Sequence, residues 1–292
     1  MKLLITGGSG AVGKHLQDIL PDAIYVGSEY DLTNWIDAEN LFETYKPTHV
    51  VHLAAKVGGI KDNISKPAEY FNDNILINTH IMNMCKIYNV KRFVGILSTC
   101  VYPDVVESYP MIEKDLFSGP PTSTNFSYGY AKRCLAVHIN AHNKQYGTKY
   151  NYLIPCNLYS EYDNFEHENK MHFVTALLKK IKLSNQELNI LGTGKPLRQF
   201  MYAGDLAKVI KTVINKDITD SFNVATSENL SINEMTNIAL KVLNKSLKIK
   251  YSNPELDGQY RKDVSSKKML NYIPNFKFTS FEEGIKKVYN NI

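Results

Sequence analysis

The chain has 292 residues, enough for one large domain or two modest ones, with ordinary contents of 43% apolar and 22% charged residues. Its net charge of +5 arises from lysines interspersed with acids, in runs no longer than pairs such as Lys179-Lys180, which argues against a nucleic-acid footprint. No apolar run reaches the roughly 20 residues that span a bilayer, and no charged-then-apolar leader precedes the first strand. Cys85, Cys100, Cys134 and Cys156 have neither CxxC nor metal-ligand spacing, so no metal, no disulfide framework and a reducing, cytoplasmic setting are expected.

Strand-like and helix-like segments alternate from the start, the pattern of an α/β protein with a doubly wound parallel sheet of Rossmann type. Leu3-Leu4-Ile5 reads as a short buried strand, followed by Thr-Gly-Gly-Ser-Gly-Ala-Val-Gly over residues 6–13 and an amphipathic helix carrying Val12, Leu16, Ile19 and Leu20. Gly7, Gly10 and Gly13 have the spacing of a dinucleotide loop. The first allows a tight turn, the second lets backbone approach a pyrophosphate, and the third lets the helix pack on the sheet. The pyrophosphate would sit at the positive end of the helix that starts near Ala11. Ile24–Val26 is the next strand, and Asp31-Leu32-Thr33 leads into a helix through Tyr45, capped by Thr33 or Asn34.

His49–Leu53 reads as a strand, 67–88 as a long helix and Phe93–Ser98 as a strand. The polar, proline-bearing stretch 103–126 reads as a loop over the site. A helix from Ser127 to about Tyr146 stops at Gly147, and Asn151–Cys156 is a strand. Residues 157–170 look irregular. Then come a helix near 171–183, strands at Leu188–Leu191 and Phe222–Ala225, a helix near Asn233–Leu243, a strand at Leu247–Tyr251 and a terminal helix after Ser280. The expected organisation is a dinucleotide-binding domain over 1–156 plus about 198–225, and a smaller mixed α/β substrate lobe over about 157–197 plus 226–292.

Tyr128 and Lys132 lie four apart in the predicted helix and so share a face. A nearby ammonium favours the phenolate, which would lower the tyrosine pKa from about 10 and suit it to proton transfer. Tyr130 lacks such a partner, its i+4 residue being Cys134. Ser98 and Cys100 follow an apolar strand, at the carboxyl end where ligands bind in this architecture. They would point the same way if strand geometry continued.

On these segments the chain resembles the extended short-chain dehydrogenase/reductase family, in its GDP-sugar epimerase/reductase branch. The matching stretches are 6–13, His52–Ile60 (His-Leu-Ala-Ala-Lys-Val-Gly-Gly-Ile), Asn74, Ser98–Pro103, Tyr128–Lys132, Pro155–Tyr159, Asp163-Asn164-Phe165, His172 with Leu177–Lys180, Gly192–Arg198 and Asp257-Gly258. The resemblance implies conversion of GDP-4-keto-6-deoxy-D-mannose to GDP-L-fucose with NADP(H). Cys100 would be the base and His172 the acid of a 3,5-epimerisation. Tyr128 would supply the proton when hydride reaches carbon 4, Ser98 would bond the ketone oxygen, and Lys132 would grip the ribose. Gly7, Ser9, Gly10, Ala11, Val12, Gly13, Asp31, Leu32, Leu53, Ala54, Ala55, Asn74, Pro155, Asn157 and Leu158 would form the cofactor site. Lys180, Leu191, Arg198 and Asp257 would meet the GDP-linked 4-keto sugar, Arg198 as a bidentate phosphate ligand, with Lys179 as an alternative phosphate partner.

Two departures stand out. Members of the family place arginines in the glycine loop and after the second strand, where they hold the 2′-phosphate of NADP. Here those places read Ser9 and Gly27-Ser28, with Lys14 the only cation near the loop. Leu191 stands where a tryptophan is expected, and Lys180 where an arginine is. The competing readings are a carbon-4 reductase that does not epimerise, acting for example on a heptose, and a non-catalytic NADP sensor. A 4,6-dehydratase would need acids where Thr99 and Cys100 stand. The resemblance also implies a homodimer built on the helices near 67–88 and 127–146, with Ala131, Leu135, Ile139 and Ala141 as its apolar contact.

Overall fold

The computed structural model describes residues 1–163, 165, 171–254 and 257–291. In chain order the first half runs β1 (Leu3–Thr6), α1 (Ala11–Ile19), β2 (Ile24–Val26), α2 (Trp35–Tyr45), β3 (His49–His52), α3 (Ile60–Ser65), α4 (Pro67–Ile87), β4 (Arg92–Ile96), α5 (Phe126–Tyr146) and β5 (Asn151–Pro155). The second half runs β6 (Asn157–Tyr159), α6 (Phe173–Leu183), β7 (Glu187–Leu191), β8 (Leu197–Arg198), β9 (Phe200–Tyr202), α7 (Ala203–Asn215), β10 (Phe222–Val224), β11 (Leu230–Ser231), α8 (Ile232–Val242), β12 (Lys248–Ser252), β13 (Arg261–Lys262), α9 (Lys267–Tyr272) and α10 (Phe281–Tyr289).

Six strands form one parallel sheet in the order β10-β5-β4-β3-β1-β2. The chain leaves β1 toward β2 on one side and returns to β3 on the other, so β1 and β3 flank the point where the strand order reverses. Ligands of doubly wound sheets bind outside the strand ends at such a point. The strands read as near-continuous apolar runs because both sheet faces are covered by helices: all of β1, β4 and β10 are buried. A second apolar cluster gathers Val174, Leu177, Leu178 and Ile181 of α6, Leu188 and Ile190 of β7, Met235 of α8 and Ile285 of α10. Val264, Met269 and Ile273 join the first cluster, so the C-terminal stretch returns to the large sheet.

The expected elements are present with small shifts at their ends. Of the two possible caps for α2, Asn34 does the work, its side chain accepting from Ile36 N at 2.8 Å. Ser280 and Glu283 form a reciprocal capping box on α10. Four features depart from the sequence reading. Helix α7 was unforeseen, although Leu206, Val209, Ile210 and Val213 mark its buried stripe. Helices α3 and α9, of six residues each, and the strands β6, β8, β9, β11 and β13, of two or three, were also unforeseen, since runs this short carry little periodicity. The irregular reading of 157–170 is corrected at its start, where β6 pairs in parallel with β9. The stretch 103–126 is not a free loop: Met111 N donates to Asp263 O at 2.9 Å and Ser265 N to Met111 O at 2.8 Å, which bind it to the C-terminal segment.

Ile154 sits fully buried in β5 between β4 and β10. Truncation to alanine leaves a cavity in a close-packed sheet, so Ile154→Ala is expected to lower the unfolding free energy by about 2–5 kcal/mol, read as a drop in the urea midpoint. A midpoint within error of the parent would contradict this packing.

Candidate active site

The glycine loop turns at Gly7, whose φ of +71° is open to glycine. A Cβ there would stand 2.7 Å from Ala54 N, so the loop rests directly on the segment that leaves β3. Gly10 N donates to Gly7 O at 3.0 Å, and α1 starts one residue later. At Gly13 a Cβ would run into the Gly8 carbonyl, which explains the third glycine as a contact between α1 and its own loop. Ser9 and Gly10 are exposed at the mouth, Val12 is half-buried, and Ala11 begins the helix whose free N–H groups suit an anion. The turn, the close approach and the helix start together fit the pyrophosphate of a dinucleotide.

Below the loop runs a buried hydrogen-bonded chain. Thr6 Oγ1 meets His52 Nδ1 at 2.7 Å, His52 Nε2 meets Asn78 Oδ1 at 3.1 Å, and Asn78 Nδ2 donates to Ala131 O at 3.4 Å. It joins the ends of β1 and β3 to α4 and α5. Burial, reinforced by the charge of Lys132, holds the His52 imidazole down at about 3, so it stays neutral.

Helix α5 carries Tyr128 and Lys132. The Lys132 Nζ lies 5.9 Å from the Tyr128 ring centroid and donates to Ile96 O at 2.9 Å, at the end of β4. Burial lowers its pKa to about 8. The expected effect on Tyr128 is reversed: desolvation, with the nearby Cys100 and Tyr70 adding to it, pushes the phenol well above its ordinary value. The ammonium is drawn back to a carbonyl beneath the ring. Tyr128 is therefore held protonated, the form a proton donor needs.

Ser98 and Cys100 are brought together by a different geometry from the one expected. Strand β4 ends at Ile96, and Thr99–Val101 form one turn of 3₁₀ helix with Ser98 as its cap. Ser98 Oγ accepts from Cys100 N at 3.3 Å. A Cβ at Gly129 would stand 2.6 Å from Cys100 O, so that glycine is what allows α5 to close on this turn. Two donors reach the Cys100 sulfur: Asn125 Nδ2 at 2.7 Å and Lys262 Nζ at 3.6 Å. Neither was foreseen. Asn125 ends a short 3₁₀ turn in the stretch read as a loop, and Lys262 lies in two-residue β13, opposite Arg198 of β8. Their only sequence signal was proximity, three residues before Tyr128 and four after Gly258.

Arg198 and Asp257 are also brought together. Arg198 Nη2 donates to Asp257 O at 3.0 Å and Nη1 to Leu197 O at 2.8 Å, while desolvation lowers the guanidinium pKa. The Asp257 carboxylate accepts from Thr193 N at 2.7 Å and from its hydroxyl. Lys180 is exposed, with Nζ on Asn189 O at 3.2 Å, and Leu191 is exposed on β7. Lys179, the alternative phosphate partner, instead donates to Phe165 O at 2.7 Å. His172 is exposed at the cap of α6 and no contact joins it to Cys100. It lies near Asp163, whose carboxyl burial raises, against the opposing pull of the Thr175 hydroxyl and of His172. Asn164 lies outside the described residues.

On the cofactor side, Leu53, Ala54 and Ala55 line the end of β3, Pro155 ends β5, and Asn157 and Leu158 lie in β6, Asn157 Nδ2 donating to Gln199 O at 3.1 Å. Asn74 is buried in α4 beside the segment after β3. Its side chain accepts from Lys56 N and donates to Lys56 O and Tyr70 O, so it clamps the segment after β3. Asp31 turns one carboxylate oxygen to Thr33, whose hydrogen bonds lower its pKa, and Leu32 is buried.

The pattern of the NAD dependent epimerase/dehydratase family matches residues 3–225. A GDP-L-fucose synthase of Dictyostelium discoideum is 37% identical, covering 98% of this chain and 93% of its own length. A GDP-L-colitose synthase of Yersinia pseudotuberculosis is 30% identical, with 98% and 96% covered. The crystal structure of a GDP-L-fucose synthetase from Naegleria fowleri bound to NADP superimposes with a TM-score of 0.88 at 31% identity, over 99% of this chain and 92% of that one.

The depressed pKa of Lys132 fixes the sign of one pH effect. The group loses its proton near pH 8 in the folded chain and near 10.5 in the unfolded one. Between those values the unfolded chain holds the extra proton, so this group makes stability rise with pH; below pH 8 the cost of the buried ammonium is present in full. Lys132→Met is therefore expected to be stabilising near pH 7, and its advantage to shrink by about 2–3 kcal/mol by pH 10, measured by urea unfolding across pH. A constant difference would show that Lys132 is not desolvated.

Proposed function

The chain belongs to the NAD dependent epimerase/dehydratase family, and from that premise we propose that it is a GDP-L-fucose synthase, converting GDP-4-keto-6-deoxy-D-mannose to GDP-L-fucose with NADP(H). The observation that carries this reading is the Cys100 turn: a thiol with two donors on its sulfur, capped onto Ser98 and beside Tyr128, at the carboxyl end of β4. A reductase alone needs Ser98, Tyr128 and Lys132; the equipped thiol adds a base.

The ketone at carbon 4 acidifies the protons on carbons 3 and 5. Cys100 Sγ takes a proton from carbon, and the electrons pass to the ketone oxygen, which Ser98 Oγ holds as an enolate. His172 returns a proton to the opposite face, inverting the centre. When bound, the dinucleotide supplies hydride for carbon 4. Tyr128 gives its proton to the oxygen at that carbon, and Lys132 grips the ribose. Asn125 and Lys262, the two donors on the Cys100 sulfur, hold it in place beside Ser98 and Tyr128. Gly7, Gly10, Ala11 and Gly13 cradle the pyrophosphate, and Arg198, supported by Asp257, meets the phosphates of the GDP-sugar. Lys180 and Leu191 border the same substrate on its exposed side.

The same reading divides the chain into a cofactor domain, 1–156 with about 198–225, and a sugar-binding lobe, about 157–197 with 226–292. It places the enzyme in the cytoplasm as a homodimer. The dimer proposal is supported by a surface cavity along α4 and α5 whose lining includes Ile75, Asn78, Thr79, Cys134, Val137, His138 and Ala141, on an α5 face where Val137 is 53% exposed. Ala131, Leu135 and Ile139, expected at that contact, are instead buried within the chain itself, Leu135 and Ile139 against Gly95 of β4. No described helix is long and apolar enough to cross a membrane.

Incubation with GDP-4-keto-6-deoxy-D-mannose and NADPH in heavy water is expected to yield GDP-L-fucose with deuterium at carbons 3 and 5, read by NMR. A product reduced at carbon 4 without deuterium would establish the non-epimerising reductase instead. Tyr128→Phe is expected to lower carbon-4 reduction by about 10²–10⁴-fold while deuterium exchange persists. Lys262→Met is expected to slow exchange at least tenfold with the dinucleotide dissociation constant unchanged; equal loss of binding and exchange would reduce Lys262 to a structural role.

A further inference from the structure

The end of β2 carries a carboxylate that neither the cofactor assignment nor the relatives' names account for. Gly8 N donates to Val26 O at 2.7 Å, so the last residue of β2 is fastened to the glycine loop. The next residue, Gly27, donates its N–H to Glu29 Oε1 at 2.8 Å, which folds the Glu29 side chain back over the strand end. A Cβ at Gly27 would stand 2.6 Å from Ser9 Oγ and 3.1 Å from Glu29 Oε2. A hydroxyl from the glycine loop and a carboxylate from the β2 turn therefore border the same small space.

With the pyrophosphate on the α1 N-terminus, the adenosine ribose of a dinucleotide reaches this place. A carboxylate there accepts a hydrogen bond from the ribose 2′-hydroxyl, whereas an arginine there receives a 2′-phosphate. Among the described residues no Lys, Arg or His nitrogen lies within 4.0 Å of the Glu29 carboxylate. Lys14, the cation nearest the loop in sequence, points elsewhere, its Nζ 5.3 Å from the centre of the Tyr162 ring. A 2′-phosphate would bring negative charge beside an uncompensated carboxylate, while a 2′-hydroxyl finds an acceptor. The pyrophosphate cradle fits either dinucleotide; the ribose end does not fit the phosphorylated one well.

We propose that Glu29 is a specificity-determining residue that opens this site to NAD(H), its carboxylate accepting the adenosine ribose 2′-hydroxyl, so that NAD(H) binds at least as tightly as NADP(H). The proposal rests on the dinucleotide reading of the glycine loop and not on the identity of the sugar. Its test is direct titration of the purified protein with NAD⁺ and NADP⁺ by calorimetry, without sugar substrate. The parent is expected to bind NAD⁺ as tightly as NADP⁺ or more so. Glu29→Lys is expected to shift the ratio of the two dissociation constants toward NADP⁺ at least tenfold, and Glu29→Gln to shift it the same way by less. Tighter binding of NADP⁺ by the parent, or a ratio unmoved by Glu29→Lys in a variant with the parent's melting temperature, would overturn the proposal. Failure to turn over the GDP-sugar with intact dinucleotide binding would instead count against the substrate reading alone. Because Glu29 is exposed, neither substitution is expected to cost folding.

Discussion

The site depends on the buried chain Thr6–His52–Asn78–Ala131, which holds four elements at fixed separations. It links the strand that precedes the glycine loop, the strand that follows α2, and the two helices that flank them. Asn78 Nδ2 donates to Ala131 O, so its Oδ1 faces His52 and accepts from Nε2–H. The Nδ1 atom is then the acceptor for the Thr6 hydroxyl. Burial keeps the imidazole neutral, and the neutral ring offers one donor and one acceptor to these two partners. The consequence is positional: α5, with Tyr128 and Lys132, is anchored to the same strand ends that carry the glycine loop.

The reactive thiol has a different origin. Cys100 stands on a single 3₁₀ turn, and every group that touches its sulfur comes from elsewhere in the chain. Asn125 arrives from the stretch before α5, and Lys262 arrives from the C-terminal segment on a two-residue strand paired with β8. That segment returns to the large sheet through Val264, Met269 and Ile273. The fold thus anchors Tyr128 and Lys132 of α5 to the sheet. The donors on the Cys100 sulfur come partly from the far end of the chain.

Much of this was legible in the residues. The strand, glycine loop and α1 follow from local rules, because a positive φ at Gly7 and the contact inside Gly13 are properties of neighbouring backbone. Tyr128 and Lys132 share a face for the same reason. Other features were legible only in outline. Ser98 and Cys100 do converge, but through a turn rather than strand alternation. The bonds by which Asn74 holds the backbone of Lys56 and Tyr70 were not legible in the sequence. Glu29 was passed over because an exposed acid after a strand looks like any solvated residue until its carboxylate is seen folded onto Gly27.

Sequence alone determined the architecture and the glycine loop, and singled out Ser98, Cys100, Tyr128 and Lys132, since these rest on periodicity and spacing within a few residues. Tertiary structure decided the protonation of Tyr128 and Lys132 and the partners of Cys100. Lys132 points to Ile96 O and leaves the Tyr128 phenol raised, contrary to what the i, i+4 spacing implies, because desolvation outweighs a neighbour whose charge is directed elsewhere. The donors on Cys100 are likewise settled by contacts between distant segments, whose separation in sequence carries no record of their distance in space.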